Sequence, residues 1–291
     1  MTQENKNLII NYSTAKFSWL KSGGKISRLY KIYNLNDLNE LFSIDDYKTR
    51  PLLVIGNLSN TLIKDDCFKG IGIKLLGDFT NIQINSDHML VGAAVLDNYF
   101  SKFCYQKSIS GYEFLYTIPG SIGGNIFMNA GCYNQEIKDK LISVIYYDID
   151  ENKLCEKNIS ELQFEYRRGF QNNNSIILYG KFKIFYNDQK KIKSLMQEYD
   201  LIRKQTQPQK VNCCGSIFKN PKNHSAWKLI RSSTDESFYN GPIKLSKKHS
   251  NFFENDPYIS PNTIDLFISK IQKKVKEKYN ILLEKELRII D

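Results

Sequence analysis

Residues 111–134 read GYEFLYTIPGSIGGNIFMNAGCYN, the most glycine-dense part of the chain. At its centre, Pro119-Gly120-Ser121-Ile122-Gly123-Gly124 has the small residues that let a backbone come close to a ligand. Successive N–H groups in such a loop form a nest for an anion. An earlier loop has the same character. Gly56-Asn57-Leu58-Ser59-Asn60 follows the apolar run PLLVI at residues 51–55, which reads as a short buried strand. Neither loop is a Walker A motif, because no Gly-Lys-Ser/Thr follows, and neither is the G-x-G-x-x-G of a Rossmann unit. Each by itself is equally well a glycine turn. As a pair they predict a dinucleotide pyrophosphate held between two subdomains.

Around these loops the pattern is α+β. Strands are expected at residues 26–33, 51–55, 71–75, 82–84, 89–91, 141–148 and 176–185, with a hairpin from 141–148 to 153–158. Helices are expected at 35–42, with Asn34 as its cap, and at 94–105, 190–204, 226–232 and 261–279. Residues 1–22 read as an irregular or short helical lead-in, and 281–290 as a closing strand. A polar, basic shift at 187–193 marks a domain boundary. The expected division is residues 22–187, in subdomains of about 22–80 and 81–187, followed by a smaller domain at 190–291.

The chain has 291 residues, enough for two or three cores, and 41% hydrophobic residues place it among globular chains. A net charge of +10 suits an anionic partner. The lysines are scattered, and there is no arginine-rich block or aromatic RNA-binding signature, so nucleic acid is not expected. The six cysteines form no C-x-x-C pair, and no metal site is expected. The N-terminus lacks a signal pattern and no apolar run reaches the ~18 residues of a membrane span. A cytoplasmic location with reduced thiols is expected, without membrane insertion.

A third block, QPQKVNCCGSIFKNP at residues 207–221, sets Gly215-Ser216 before an apolar pair and Lys219-Asn220. Gly215 permits close backbone approach, Ser216 offers a small hydroxyl, and Lys219 and Asn220 suit an anionic partner.

Together these blocks resemble the UDP-N-acetylenolpyruvoylglucosamine reductase family. G-x-x-S-N pairs with I-P-G-S-I-G-G…M-N-A-G. Then Tyr166-Arg167 sits in FEYRRGF, GSIFKNP follows Gln207-Pro208, and AWKLI, LSKKHSNF and Leu283-Glu284-Lys285-Glu286 come in order. The resemblance runs from about Phe17 to Ile290 and is to the shorter type, with an alphaproteobacterial character. It implies a two-subdomain FAD-binding domain of the PCMH or vanillyl-alcohol-oxidase kind, then a smaller α+β substrate-binding domain. It implies an NADPH-dependent flavoenzyme that reduces UDP-N-acetylglucosamine enolpyruvate to UDP-N-acetylmuramate, with non-covalent FAD, acting as a monomer. NADPH and the sugar nucleotide would use one site in turn.

The resemblance implies roles for single residues. Gly56, Asn57, Leu58, Ser59, Asn60, Pro119, Gly120, Ser121, Gly123 and Gly124 would hold FAD. Arg167 and Glu286 would stabilise charge on the substrate carboxylate, Glu286 as an acid with a raised pKa, and Ser216 would deliver the final proton. Tyr166, Arg203, Lys219 and Asn220 would bind substrate. Taken alone, Arg167 reads as a surface ion pair and Glu286 as a solvated charge. Cys213 and Cys214, the rival acids beside Ser216, are expected in packing.

Four positions depart from the family pattern. Leu58 and Thr117 stand where Gly is usual, Gly169 where Ser is common, and Tyr239-Asn240-Gly241-Pro242 replaces Ile-Gly-Gly-Ala. A positive φ at Leu58 would cost on the order of 1 kcal/mol. The alternatives are another FAD oxidoreductase on the same fold, a basic nucleic-acid-binding protein, or a decayed homologue with weak flavin binding.

Overall fold

The computed structural model describes residues 7–43, 47, 49–64, 67–172 and 174–291. The described residues form two compact units. The first comprises residues 7–9, Arg28–Asn57 and Gly70–Arg203, and the second Ile10–Ser27, Leu58–Lys69 and Lys204–Asp291.

In the first unit, Leu35–Phe42 is a helix because its apolar residues fall on one side and its start is capped. The Asn34 side chain accepts from Asp37 N at 3.1 Å. Its buried Leu38, Leu41 and Phe42 pack with Tyr30, Ile32, Ile71 and Ile73 from the sheet ordered Leu8–Ser13, Lys25–Ile32, Cys67–Leu75, Leu52–Val54. Burying each of these three side chains is worth about 1.5–3 kcal/mol. Leu52–Val54 and Cys67–Leu75 run parallel, with Leu53 opposite Gly72.

A second sheet runs Lys153–Asn158, Leu141–Asp148, Ser175–Lys183, His88–Gly92, Ile82–Ile84, antiparallel throughout. The expected hairpin is present, from Ser143 opposite Asn158 to Asp148 opposite Lys153. Helices Asp97–Gln106 and Ile122–Met128 bury Phe100, Cys104, Ile122 and Ile126 in the same core as Met89, Val91, Val144 and Phe182.

The second unit is built on helix Pro261–Tyr279, whose Ile264, Ile268, Ile271 and Val275 form one buried stripe. They pack with Ile217, Phe218, Leu229, Ile230, Leu245, Phe253 and Leu283. Arg288–Ile290 pairs in parallel with Thr61–Ile63, Ile289 opposite Leu62.

Three expectations need correction. Residues 1–6 of the expected lead-in lie outside the described residues, and Leu8–Ser13 is a strand, not a helical or irregular segment. The closing strand is confined to Arg288–Ile290. The residues before it make separate hydrogen bonds to the 215–220 segment instead of a continuous ladder. Residues 122–128, read as part of a glycine loop, form a seven-residue helix that ends at Asn129 in the left-handed conformation, φ +46°.

Candidate active site

Within the first unit the two glycine loops meet. Asn57 Nδ2 donates to Pro119 O at 2.8 Å, and a Cβ on Gly56 would stand 2.8 Å from Ser121 Oγ. The glycines act differently from the expectation. A Cβ on Gly123 would lie 2.8 Å from Ala93 Cβ and 3.1 Å from Ala93 O. Gly123 therefore serves close packing, not approach to a ligand. The Ile122 and Gly123 N–H groups donate to Val95 O at 2.9 Å and Ala93 O at 2.8 Å, which seats the loop on its neighbours. Gly124 is different: a Cβ there would meet only Ser121 Oγ, at 3.6 Å. That side of the loop is open.

Two ionisable residues that sequence reasoning missed complete this region. Lys74 Nζ donates to Gly56 O at 3.0 Å, and burial holds its pKa below the usual lysine value. Asp97 is 0% exposed; its Oδ1 accepts from Asn125 Nδ2 at 2.7 Å, and its Oδ2 makes no well-formed hydrogen bond. Burial pushes its pKa up to about 8, against smaller lowering effects from Asn125 and Gly120. Burial thus favours the neutral carboxyl over a like charge beneath a loop suited to an anion. No sequence pattern marks either residue, because each acts on a partner distant in sequence, Lys74 on Gly56 and Asp97 on Asn125.

The Asp97 shift has a consequence for stability. The folded protein keeps a proton that the unfolded chain releases above about 3.8, so this group makes stability fall as pH rises from about 4 towards 8. Asp97→Asn removes the titration. The melting temperature of the variant minus that of the parent is expected to grow between pH 5 and pH 8. A constant difference in differential scanning fluorimetry would contradict the assignment.

The residues 58–60 end of the first loop belongs to the second unit. Leu58 is 5% exposed with φ +49°. The left-handed strain expected there is present, offset by burial of the side chain. Asn60 Nδ2 donates to Glu286 O at 3.1 Å, and Arg288 N to Asn60 O at 3.2 Å.

Tyr166 and Arg167 form the tip of a tight turn in the first unit. Glu165 N donates to Arg168 O at 2.8 Å, and Arg167 has φ +56°. The Arg167 guanidinium lies 4.8 Å from the Tyr166 ring centroid and donates to Gly131 O at 2.8 Å. Two anchors hold the turn. Gly169 N donates to Phe127 O at 3.0 Å, and the wholly buried Asn129 donates to Glu165 O at 2.8 Å and Glu136 Oε2 at 3.0 Å. A Cβ on Gly169 would lie 1.9 Å from Ile126 O, so this turn geometry requires the glycine that departs from the family pattern. Arg203 Nη1 donates to Thr117 Oγ1 at 3.4 Å, which gives the second departure a partner. Both guanidiniums act on the Cys132 thiol and pull its pKa down, while burial dominates and raises it to about 11.

The remaining expected residues belong to the second unit. Gly215 has φ +80°, a conformation that L side chains rarely adopt. Ser216 follows it. Ile217 O accepts from Glu286 N at 2.8 Å and Leu287 N at 3.3 Å, which places the Ser216 and Glu286 backbones on adjoining segments. Lys219 Nζ pairs with Glu284 Oε1 at 2.6 Å. Asn220 Oδ1 accepts from Ala226 N at 2.9 Å, at the start of helix Ala226–Ser233. Cys214 lies in the core, and burial, with Cys213 next, pushes its pKa well up. At the last departure, Tyr239 is buried with its hydroxyl 3.1 Å from Ser250 Oγ and 3.3 Å from Thr234 Oγ1, under the Arg231 guanidinium.

Among the described residues no group of His, Cys, Asp and Glu could hold a metal, and no helix is long and apolar enough to cross a membrane.

Comparison with known proteins bears on the whole chain. A family model for an FAD binding domain matches residues 33–150, and one for the C-terminal domain of UDP-N-acetylenolpyruvoylglucosamine reductase matches residues 207–290. The reductase of that name from Rickettsia peacockii is 34% identical over 280 residues, covering 96% of this chain and 94% of the relative. Its namesake from Pelagibacter ubique is 35% identical over 285 residues, covering 96% and 93%. The solved UDP-N-acetylenolpyruvylglucosamine reductase of Thermus caldophilus superposes with a TM-score of 0.83 at 25% identity, over 98% of each chain.

Proposed function

Since the chain belongs to the UDP-N-acetylenolpyruvoylglucosamine reductase family, we propose how its own residues divide the reaction of that family. The protein is an FAD-containing oxidoreductase of peptidoglycan precursor synthesis that reduces UDP-N-acetylglucosamine enolpyruvate with NADPH. Its fold is α+β, an FAD-binding domain followed by a substrate-binding domain.

Bound FAD supplies hydride transfer. In the proposal, residues 56–60 and the 119–124 loop, apart from the packed Gly123, hold its diphosphate, with Lys74 as the countercharge and Asp97 kept neutral. Arg167 takes the substrate carboxylate in its planar fork, and Glu286 helps stabilise the charge that builds there. Ser216 delivers a proton to the carbon left as a carbanion-like centre. Tyr166, Arg203, Lys219 and Asn220 bind the sugar nucleotide, Lys219 in exchange with Glu284. The observation that carries this reading is the bond from Glu286 N to Ile217 O, which ties an acid to the neighbour of a hydroxyl at the other end of the domain sequence. The proposal extends to a cytoplasmic monomer whose excess positive charge serves anionic small substrates and not nucleic acid. Two charged nucleotide substrates support that location.

The flavin site has its own test. Acid precipitation should release FAD into the supernatant, since no His stands in either loop to tether it. Gly124→Val should lower FAD affinity at least tenfold in a fluorescence titration and leave the apoprotein's melting temperature near the parent's. Gly123→Val should instead destabilise the apoprotein by ~1–3 kcal/mol through its clash with Ala93. Full FAD affinity in Gly124→Val would remove the diphosphate from this loop.

A further inference from the structure

We propose that Asn251, in the LSKKHSNF stretch, is a positioning residue for proton delivery: its side chain fixes the strap that carries Ser216 against the segment that carries Glu286. This rests on the roles given to Ser216 and Glu286 above.

Asn251 is 3% exposed and makes two side-chain hydrogen bonds to one residue of the strap. Its Oδ1 accepts from Phe218 N at 3.0 Å, and its Nδ2 donates to Phe218 O at 2.8 Å. Its own carbonyl accepts from Ile217 N at 2.8 Å. On the other side, Ile217 O accepts from Glu286 N, and Lys219 N donates to Glu284 O at 2.9 Å. The strap is thus strung between Asn251 and the terminal segment. A carboxamide presents one donor and one acceptor in the geometry of a peptide group, so Asn251 acts as a single-residue strand partner for Phe218.

On the N-terminal side the holds lie further from Ser216: Cys214 sits in the core, and Asn212 donates from Nδ2 to Asn255 O at 3.0 Å and accepts at its carbonyl from Asn255 N at 3.2 Å. Gly215 is the most permissive residue type, and the place a Cβ would occupy on it has nothing within 4 Å. With the permissive Gly215 between Ser216 and those holds, Ser216 is located chiefly from its C-terminal side, through the hydrogen bonds of Ile217 and Phe218. Loss of the Asn251 clamp lets the strap shift by a fraction of a turn while the core below it stays closed by Ile217 and Phe218. A shift of that size hardly matters to hydride uptake by the flavin, but it matters to a proton that must arrive at one carbon from one face.

Asn251→Ala and Asn251→Asp, each as the holoenzyme, test this by anaerobic stopped-flow. Flavin reduction by NADPH should proceed at the parental rate in both. Flavin reoxidation by UDP-N-acetylglucosamine enolpyruvate should slow ~100-fold at pH 8, the scale for a misplacement of about 1 Å. Asn251→Asp also has a pH signature. Its carboxylate accepts from Phe218 N but repels Phe218 O; once protonated, it both accepts and donates as the amide does. Its deficit relative to the parent should shrink as pH falls from 8 to 6. Cys213, Cys214, Lys219, Lys247, Lys248, His249, Glu284, Lys285, Glu286 and Arg288 are the titratable groups on the strap, the terminal segment and the Asn251 loop. They are common to both proteins, so the ratio isolates the introduced carboxyl.

Near-parental reoxidation of Asn251→Asp at pH 8, a deficit that does not change with pH, or equal loss in both half-reactions would overturn the inference. Ser216→Ala run alongside separates the two claims. If it reoxidises slowly while the Asn251 variants do not, only the positioning role falls. If it reoxidises at the parental rate, the role of Ser216 falls and this inference with it.

Discussion

Ser216→Ala is expected to bind FAD, to accept hydride from NADPH at the parental rate, and to turn over the enolpyruvyl substrate on the order of 10²–10⁴ times more slowly, the range for losing a positioned general acid. A hydroxyl is a weak acid near neutral pH. Its acceptor here is a carbon bearing developing negative charge next to a carboxylate, a far stronger base than water, so placement outweighs acidity. The placement comes from Gly215, which turns the backbone at φ +80°, and from the bonds of Ile217 to Glu286 and Asn251. The rival is Cys214, a better intrinsic acid two residues away. The structure argues against it: the side chain lies in the core with Ile217 and Phe218, and burial raises its pKa well above the ordinary thiol value. Ser216→Cys should recover part of the lost rate, because a thiol placed at position 216 can also donate a proton. Full activity in Ser216→Ala with a dead Cys214→Ala would transfer the acid to Cys214.

Arg167→Ala and Glu286→Gln should each leave flavin reduction by NADPH close to parental and slow flavin reoxidation by the enolpyruvyl substrate ~100-fold or more, the scale for removing one oriented charge-stabilising group. Arg167 is held on a strained turn at φ +56°, with its guanidinium already fixed by Gly131 O and the Tyr166 ring. Backbone strain of this kind persists where the surrounding bonds over-determine it, here those of Asn129 and Gly169. Arg167→Lys should rescue little, because an ammonium cannot bond Gly131 O and span both carboxylate oxygens in one plane. Near-normal reoxidation in Arg167→Ala or Glu286→Gln would remove that residue from the mechanism.

Helix Pro261–Tyr279 and helix Leu35–Phe42 were legible because their apolar period and caps are local signals. Helix Ile122–Met128 was not, because Gly123-Gly124 lowers its propensity and its stability comes from packing on Ala93 and Val95. Motif resemblance is what marks Arg167, Ser216 and Glu286 as candidates, and Leu58 showed its left-handed backbone in advance through the glycine it replaces. Asn129, Asn251 and Asp97 were illegible. Each works by hydrogen bonds to residues far away in sequence, and an isolated Asn or Asp reads as a turn residue. The purpose of Gly123 was misread for a related reason: a missing side chain looks the same whether it makes room for a ligand or for Ala93. Composition also cannot reveal that Ile10–Ser27 and Leu58–Lys69 join the C-terminal residues in one unit, since only long-range pairing such as that of Arg288–Ile290 with Thr61–Ile63 does so.

The most direct measurement is an anaerobic titration of the purified yellow protein followed by its flavin absorbance. Stoichiometric NADPH should bleach the flavin, and one equivalent of UDP-N-acetylglucosamine enolpyruvate should restore the colour with formation of UDP-N-acetylmuramate. A flavin that NADPH bleaches but the enolpyruvyl substrate leaves reduced would contradict the assigned reaction, and a colourless protein that takes up no FAD would contradict the flavin site itself.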